Sequence, residues 1–478
     1  MNRSISRLYA VLTGAFLVLA VLVGFWQVVD ANSLNHHANN RQAAERQLTV
    51  DRGKIVFADG TVGAHSVATK RQGQTVYRRV YDDGTLAPHV LGYAEPAQGT
   101  TGLEQKYNDY LAGDYGTGPI LVRLRLRTAH GASLDTTLIP AAQRIANQQL
   151  LGRKGAVVAL NPSTGAVLAM ASSPGFDLSK VATEFDKIRT SQGSPLLNRA
   201  TQGRYPPGST FKVVTLTAAL ESNMGFTPTT RFDDTGVFRT SGPPITNSHG
   251  HAYGNHSLTD ALTFSINTTF ARIGTTLGAD RLGRTMTAYG FGTKPPIDLP
   301  DSQVLASGRL NGNSILANDQ QGEDVARIAI GQERLGVTPL QMAMVSAAIA
   351  NKGTLMKPFI VQRVVDRSGS AVHENRPEQL SQVASQANAA AITDMMRNVV
   401  KEGTGTAAAL QGLDVAGKTG TAETSVAGIN DAWFIGFAPA AAPKVAVAVV
   451  IEGTPDAGGV AAAPVAREVM KAAIAGGG

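Results

Sequence analysis

The chain has no cysteine, which excludes disulfides, a thiol nucleophile and cysteine-ligated zinc but says little about compartment. Tryptophan occurs twice and aromatics make up only 6% of residues. No basic run interleaves with aromatics, so the footprint of a nucleic-acid binder is missing. Charge is sparse at 17%, with 43 Lys and Arg against 36 Asp and Glu, a formal balance of +7. With 43% hydrophobic residues, this composition excludes wholesale disorder. No internal repeat is present. At 478 residues the chain exceeds one domain's usual share, so two or three domains are expected.

The longest apolar run is residues 8–29, interrupted only by Thr13 and Gln27. At about 1.5 Å per residue it is long enough to cross a bilayer. Arg3 and Arg7 precede it, and no Lys or Arg follows before Arg41. The positive-inside rule then leaves a short cytoplasmic tip and places the rest of the chain outside, on a single-pass anchor. Tyr9 and Trp26 lie near the two ends, as interfacial aromatics do. A cleaved signal peptide is the competing reading, but the run exceeds a usual h-region and no clear cleavage site follows.

Residues 1–29 are therefore read as tip and anchor, 30–150 as a non-catalytic spacer, and 151–478 as a second unit. The spacer is polar and mixed. His36-His37-Ala38-Asn39-Asn40 looks like a linker, short strands are expected around residues 50–56 and 66–69, and a short helix over 101–111. No constellation of acids, bases or ligands occurs there. Beyond Gly155 the composition changes. Two apolar runs, 156–160 and 166–170, flank the turn Asn161-Pro162-Ser163-Thr164-Gly165, which reads as a hairpin covered on both faces. Helices are expected over 211–220, 257–274, 340–350 (Thr338 as N-cap, Pro339 first), 388–400 and 465–475. Strands are expected over 415–422, 432–437 and 445–451. This order implies an α+β unit, helices packed on a mainly antiparallel sheet.

Pro206-Pro207-Gly208 halts the chain immediately before Ser209-Thr210-Phe211-Lys212. Three residues apart at a helix start, a hydroxyl and an amine become neighbours. A serine needs a base to be nucleophilic, and a lysine in a partly apolar cleft can lose its proton near neutrality. Ser209-x-x-Lys212 alone is a weak signal, equally an N-cap followed by a surface lysine. Ser265-Ile266-Asn267 in a helical stretch and Lys418-Thr419-Gly420-Thr421 on a strand follow in order. Together the three form the set of serine acyl-transferases acting on D-Ala-D-Ala peptides and β-lactams. On this reading Ser209 attacks, Lys212 is the candidate base, and Ser265 passes a proton to the leaving amine. Asn267 holds Lys212 and the substrate backbone. Lys418 lowers the Lys212 pKa by like-charge repulsion and attracts a carboxylate, to which Thr419 and Thr421 offer hydroxyls. Gly420 lets substrate lie against the strand. The N–H groups of Ser209 and Thr421 form the oxyanion hole.

Over nearly its whole length the chain resembles the class B penicillin-binding proteins, and within them looks most like the PbpA type of actinobacteria. The resemblance runs through the anchor, Arg52-Gly53-Lys54-Ile55, Gly102-Leu103-Glu104, residues 155–173, Tyr205 to Lys212 and Gly417 to Glu423. The Arg52-Gly53 stretch lacks the acidic-basic pair that many relatives carry just after it. The resemblance implies a penicillin-binding protein/serine β-lactamase-like fold. Its expected parts are a five-stranded mainly antiparallel sheet with helices on both faces, an all-helical lobe, a transmembrane helix and a small β-rich N-terminal domain. It implies a D,D-transpeptidase that cross-links peptidoglycan stem peptides in cell-wall synthesis during growth or division and is acylated by β-lactams. It also implies a SEDS-family membrane glycosyltransferase as partner.

Other readings fit less well. Residues 412–419 match the P-loop pattern literally, but no glycine-rich wrap or amphipathic helix follows. His249, His251 and His256 sit in a glycine-rich stretch with Asp260 as the one acid close by, and no metal or cofactor is expected. A β-lactamase or sensor has no need of the spacer, and a D,D-carboxypeptidase differs only in its acceptor. A silent scaffold of the wall-synthesis complex conflicts with the intact motifs. Trp433 reads as a buried aromatic on the sheet.

Overall fold

The computed structural model describes residues 2–25, 48–71, 73–115, 130–240, 242–319 and 324–477. The 36–40 linker, Trp26 and the end of the apolar run fall outside them. Helix α1, Asn2–Gly24, carries an apolar window over Ser4–Val23 whose side chains are all exposed. Its length and composition suit a bilayer, where every backbone group is satisfied within the helix.

The N-terminal module is built on strands β1 (Ile55–Val56), β2 (Val62–Arg71) and β3 (Gln74–Tyr81). The single helix expected over 101–111 is two short ones, α2 (Gly102–Lys106) and α3 (Asn108–Ala112), broken at Tyr107. Tyr107 leaves the helix to donate its hydroxyl to Asp298 Oδ2 at 3.1 Å. The same half-buried carboxylate accepts from the N–H groups of Ile360 (2.7 Å) and Val361 (2.8 Å), tying the module to the catalytic unit.

The two stretches of this module that carry the resemblance, around Arg52 and Glu104, meet in one buried cluster. Arg52 Nη2 reaches Glu104 Oε2 at 2.8 Å, and Arg79 Nε reaches Glu104 Oε1 at 2.6 Å. Arg79 also donates to the Gly53 carbonyl at 2.7 Å. Burial pushes the Glu104 carboxyl up, and the guanidiniums of Arg79 and Arg52 outweigh it and hold the pKa below the ordinary value.

Strand β4 (Ser133–Thr136) continues the module's sheet, pairing parallel to β1. Its other edge pairs antiparallel with β7 (Val361–Val365), a strand from deep within the second half, followed by β8 (Ala371–Glu374). The six-stranded order is β8-β7-β4-β1-β2-β3. Helix α4 (Pro140–Gln149), N-terminal to the expected boundary at 150, packs on the catalytic sheet, and its Asn147 Nδ2 donates to the Leu86 carbonyl of the module at 2.8 Å.

The catalytic sheet contains the expected hairpin, β5 (Gly155–Leu160) and β6 (Val167–Ser173), with β9 (Ala416–Glu423), β10 (Asn430–Ala438) and β11 (Val445–Thr454). The order is β9-β10-β11-β5-β6 and every pairing is antiparallel. Strand alternation splits its side chains between two cores. Val157, Ala159, Val447 and Val449 face α4 and the last helix, Ala463–Gly476. Ala156, Val158, Ala448 and Val450 join the larger core beneath Pro339–Ala350, all twelve of whose residues are buried. Thr338 caps that helix by accepting from Gln341 N, worth about 1 kcal/mol. The helical lobe beyond also carries short strand pairs, 231–234 with 254–257 and 237–238 with 245–246.

Glu104→Ala leaves two buried guanidiniums without their counter-ion. It is expected to cost about 3–5 kcal/mol, read as a lower denaturation midpoint for the N-terminal module, with labelling by a fluorescent penicillin retained.

Candidate active site

Gly208 takes a left-handed φ of +52°, and a single 3-10 turn, Gly208–Phe211, leads directly into helix Lys212–Leu220. Ser209 thus stands just before the helix, half-buried, whereas every residue from Thr210 to Leu220 is buried. The Thr210 hydroxyl closes the turn by donating to the Pro207 carbonyl at 2.7 Å. Lys212, one turn on, is fully buried.

The predicted continuous helix over 257–274 is broken. Leu258–Thr263 ends, Ser265 takes φ +61°, and a new helix begins at Asn267. The break turns Ser265 and Asn267 together toward Lys212. Lys212 Nζ donates to the Ser265 carbonyl (2.8 Å), to Asn267 Oδ1 (2.7 Å) and, more weakly, to Ser265 Oγ (3.3 Å). A left-handed serine costs on the order of 1–3 kcal/mol, which these bonds offset. Asn267 is oriented by its own Nδ2, which donates to Thr246 O at 2.9 Å and, among the described residues, leaves its second N–H without a partner. At the start of that helix Asp234 accepts from Thr268 Oγ1, Asn247 Nδ2 and the N–H groups of Tyr253 and Gly236.

Lys418 comes from the opposite wall. Strand β9 is the sheet edge, and Lys418 Nζ donates to Ser265 Oγ at 2.8 Å and to the Thr419 carbonyl at 3.0 Å. One hydroxyl therefore lies between two amines. Burial drives the Lys212 amine well below its ordinary pKa, and the Lys418 charge lowers it further. The expected like-charge effect is real but second to desolvation. Burial also lowers Lys418, to about 7.

Thr419 and Thr421 alternate with Lys418 and Gly420 and so point to the other face of the strand. Thr419 Oγ1 is 2.6 Å from Thr404 Oγ1, and Thr421 Oγ1 accepts from Gly458 N at 3.2 Å. Gly420 also makes a contact the sequence does not announce. A Cβ there would lie 2.7 Å from the Pro207 carbonyl and 3.0 Å from Thr210 Cγ2, so its hydrogen admits the serine turn. On the turn's other flank a Cβ on Gly331 (φ +81°) would lie 1.9 Å from Gly208 O. Gly208 N donates to Gly331 O at 3.0 Å.

Groups outside the motifs hold the turn as well. Trp433 is fully buried, and its Nε1 donates to Pro206 O at 3.0 Å. The Tyr205 hydroxyl and Arg199 Nε both donate to Glu452 Oε1. Sequence patterning marked none of Arg199, Asp234, Asn247, Thr404 or Glu452, because each acts through a partner outside its own helix, strand or turn. His256 is satisfied by Thr269 Oγ1 and the Gly254 carbonyl. Among the described residues no group of three or more His, Asp or Glu is arranged to hold a metal.

Comparison with known proteins agrees with this geometry. The family model for the penicillin binding protein transpeptidase domain matches residues 155–471, and that for the penicillin binding protein A dimerisation domain matches 52–120. The chain is 34% identical to the peptidoglycan D,D-transpeptidase PbpA of Mycolicibacterium smegmatis, with 99% of each chain covered. It is 32% identical to the PbpA of Mycobacterium tuberculosis, with 100% of each covered. Its structure is similar to the ceftriaxone acyl-enzyme complex of penicillin-binding protein A from M. tuberculosis, with a TM-score of 0.81 and 32% identity over 90% of this chain and 100% of that one.

Gly331→Ala is expected to displace the serine turn and slow labelling by a fluorescent penicillin by about 100-fold, with far-UV circular dichroism unchanged. A wild-type labelling rate would show that the turn does not depend on this contact.

Proposed function

The chain belongs to the class B penicillin-binding protein transpeptidases, and from that membership we propose that it cross-links peptidoglycan stem peptides through an acyl-enzyme on Ser209. The observation that carries the proposal is the meeting of two buried amines, from segments about two hundred residues apart, on the hydroxyl of Ser265, one of the two belonging to the turn that follows the half-buried Ser209.

Neutral Lys212 takes the Ser209 proton as Oγ attacks the carbonyl of the penultimate D-Ala. Burial and the neighbouring charge are what make a neutral amine available. The resulting oxyanion is held by the N–H groups of Ser209 and Thr421; the latter belongs to an edge strand whose outer N–H groups are unpaired by the sheet. Collapse breaks the peptide bond, and the departing D-Ala nitrogen gains a proton through Ser265 Oγ, supplied from the lysine side. Thr419 and Thr421 donate their hydroxyl protons to the donor's terminal carboxylate, and Lys418 on the same strand provides positive potential. The amine of a neighbouring stem then attacks the ester and loses its proton back to the cleft, restoring Ser209. A β-lactam follows the same first half, but its leaving nitrogen stays tethered and blocks the acceptor.

The apolar helix Asn2–Gly24 is consistent with a single-pass anchor. We place the catalytic unit outside the membrane, supported by Arg3 and Arg7 ahead of the span. The N-terminal module is the proposed seat of a SEDS-family glycosyltransferase partner; it contributes none of the residues given roles here.

Mass spectrometry after penicillin exposure is expected to show one adduct on Ser209 and none on Ser209→Ala. An adduct on the variant would overturn the assignment. The acylation rate is expected to rise with pH as Lys212 deprotonates, then fall through about pH 7 as Lys418 loses its proton. Lys418→Met is expected to lower the rate and abolish the alkaline limb; an unchanged limb would remove Lys418 from the titration.

A further inference from the structure

A cavity of about 440 Å³ lies on the seam between the N-terminal module and the catalytic unit. None of the residues given a catalytic role lines it. Lys106, the last residue of α2, faces residues of the 294–304 loop, the 357–359 segment ahead of β7 and Asn375 across it. Its size falls in the range of about 300–1,000 Å³ typical of small-ligand sites.

The walls are held apart. Pro295, Pro296 and Pro358 stiffen two of the segments, and Ile297, Val304 and Phe359 add apolar surface. Asp298 also lines the cavity, but its oxygens are spent on the Tyr107 hydroxyl and the N–H groups of Ile360 and Val361. The Gln303 carbonyl accepts from Thr201 Oγ1 at 2.6 Å, and its side-chain oxygen accepts from Gly102 N at 3.1 Å. The loop is therefore pinned to the catalytic unit and to α2 at once.

The charges around the opening are unequally used. Lys294 donates to the Asp301 carbonyl at 2.6 Å, and Lys357 pairs with Glu378 at 2.7 Å. Among the described residues, the Lys106 ammonium and the Asp301 carboxylate have neither a hydrogen bond nor an ion pair. Isolated exposed charges are ordinarily just solvated. These two are of opposite sign, line one apolar-walled cavity and still do not meet. A complementary ligand has a negative end, a positive end and small apolar groups between them. A short peptide with a free carboxylate, a free amine and alanyl methyl groups has that chemistry.

We propose that this cavity is a second peptide site, away from Ser209, which takes an unreacted stem peptide with its carboxylate on Lys106 and an ammonium on Asp301. The choice of ligand rests on the stem-peptide reading above. No bond is made or broken there. The occupant bridges α2 to the 294–304 loop, so the module and the catalytic unit hold it jointly.

The test is calorimetric titration of the full chain in detergent with Lys-D-Ala-D-Ala, before and after benzylpenicillin has filled the serine cleft. Binding is expected to persist on the acylated chain. Lys106→Met is expected to weaken binding of the free acid about fivefold and to leave that of the C-terminal amide within about twofold. Asp301→Asn is expected to weaken the free peptide about fivefold and to leave its form acetylated on both amines within about twofold. Binding of the amide and of the acetylated peptide reports that each variant is folded. Loss of all binding on acylation would place the peptide in the catalytic cleft and overturn the proposal. So would no binding to the unaltered chain, or equal effects of Lys106→Met on acid and amide. The two charge dependences are read without acyl transfer, so a missing penicillin adduct would defeat the acyl-enzyme reading and leave this site standing.

Discussion

Two buried primary amines directed at one hydroxyl set the terms for the whole cleft. Two ammonium ions that close in a dry site cannot both persist, because burial penalises each and each penalises the other. One must be neutral for the site to exist at neutral pH, and Lys212, whose amine is lowered by burial and again by the Lys418 charge, is that one. Acidity that would be unusual for a free lysine is here a consequence of packing. The surrounding carbonyls and the Asn267 amide give the amine partners without giving it a counter-ion.

Keeping that pair in register requires backbone to come closer than side chains permit. The serine turn lies between Gly331 on one flank and the Gly420–Thr421 edge on the other, and each contact leaves no room for a methyl group. Ser265 accepts a left-handed conformation so that both its carbonyl and its hydroxyl can be used. Around these, Trp433, Tyr205, Arg199 and Glu452 fix the prolines ahead of Ser209 from the sheet side. The cleft is rigid because its floor is glycine packed against peptide and its supports are rooted in the antiparallel sheet.

The sequence disclosed what is encoded locally. The prolines and glycine before Ser209 announce a turn, the two-sided apolar strands announce a covered sheet, and Ser209 with Lys212 share one turn of chain. The break at Ser265 was not legible, because no glycine or proline interrupts residues 258–274 before Gly274 and their apolar content continues as in a helix. Thr404 was hidden as one threonine in a run of small residues, since its meaning lies in its contact with Thr419. The salt-bridged cluster at Glu104 was half visible: Arg52 and Glu104 lie in recognisable stretches, but Arg79 has no pattern of its own. Pairing of β4 with β7 joins residues more than two hundred apart, and alternation reports which face a residue takes, never which strand it neighbours.

That last pairing bears on biogenesis. Strand β4 gains its second neighbour only when residues 361–365 have been made, long after the N-terminal module has left the ribosome. Until then its open edge presents unpaired peptide groups to any passing strand. Maturation of the first module therefore waits on the second half, and a chain halted before residue 361 would emerge with an adhesive border.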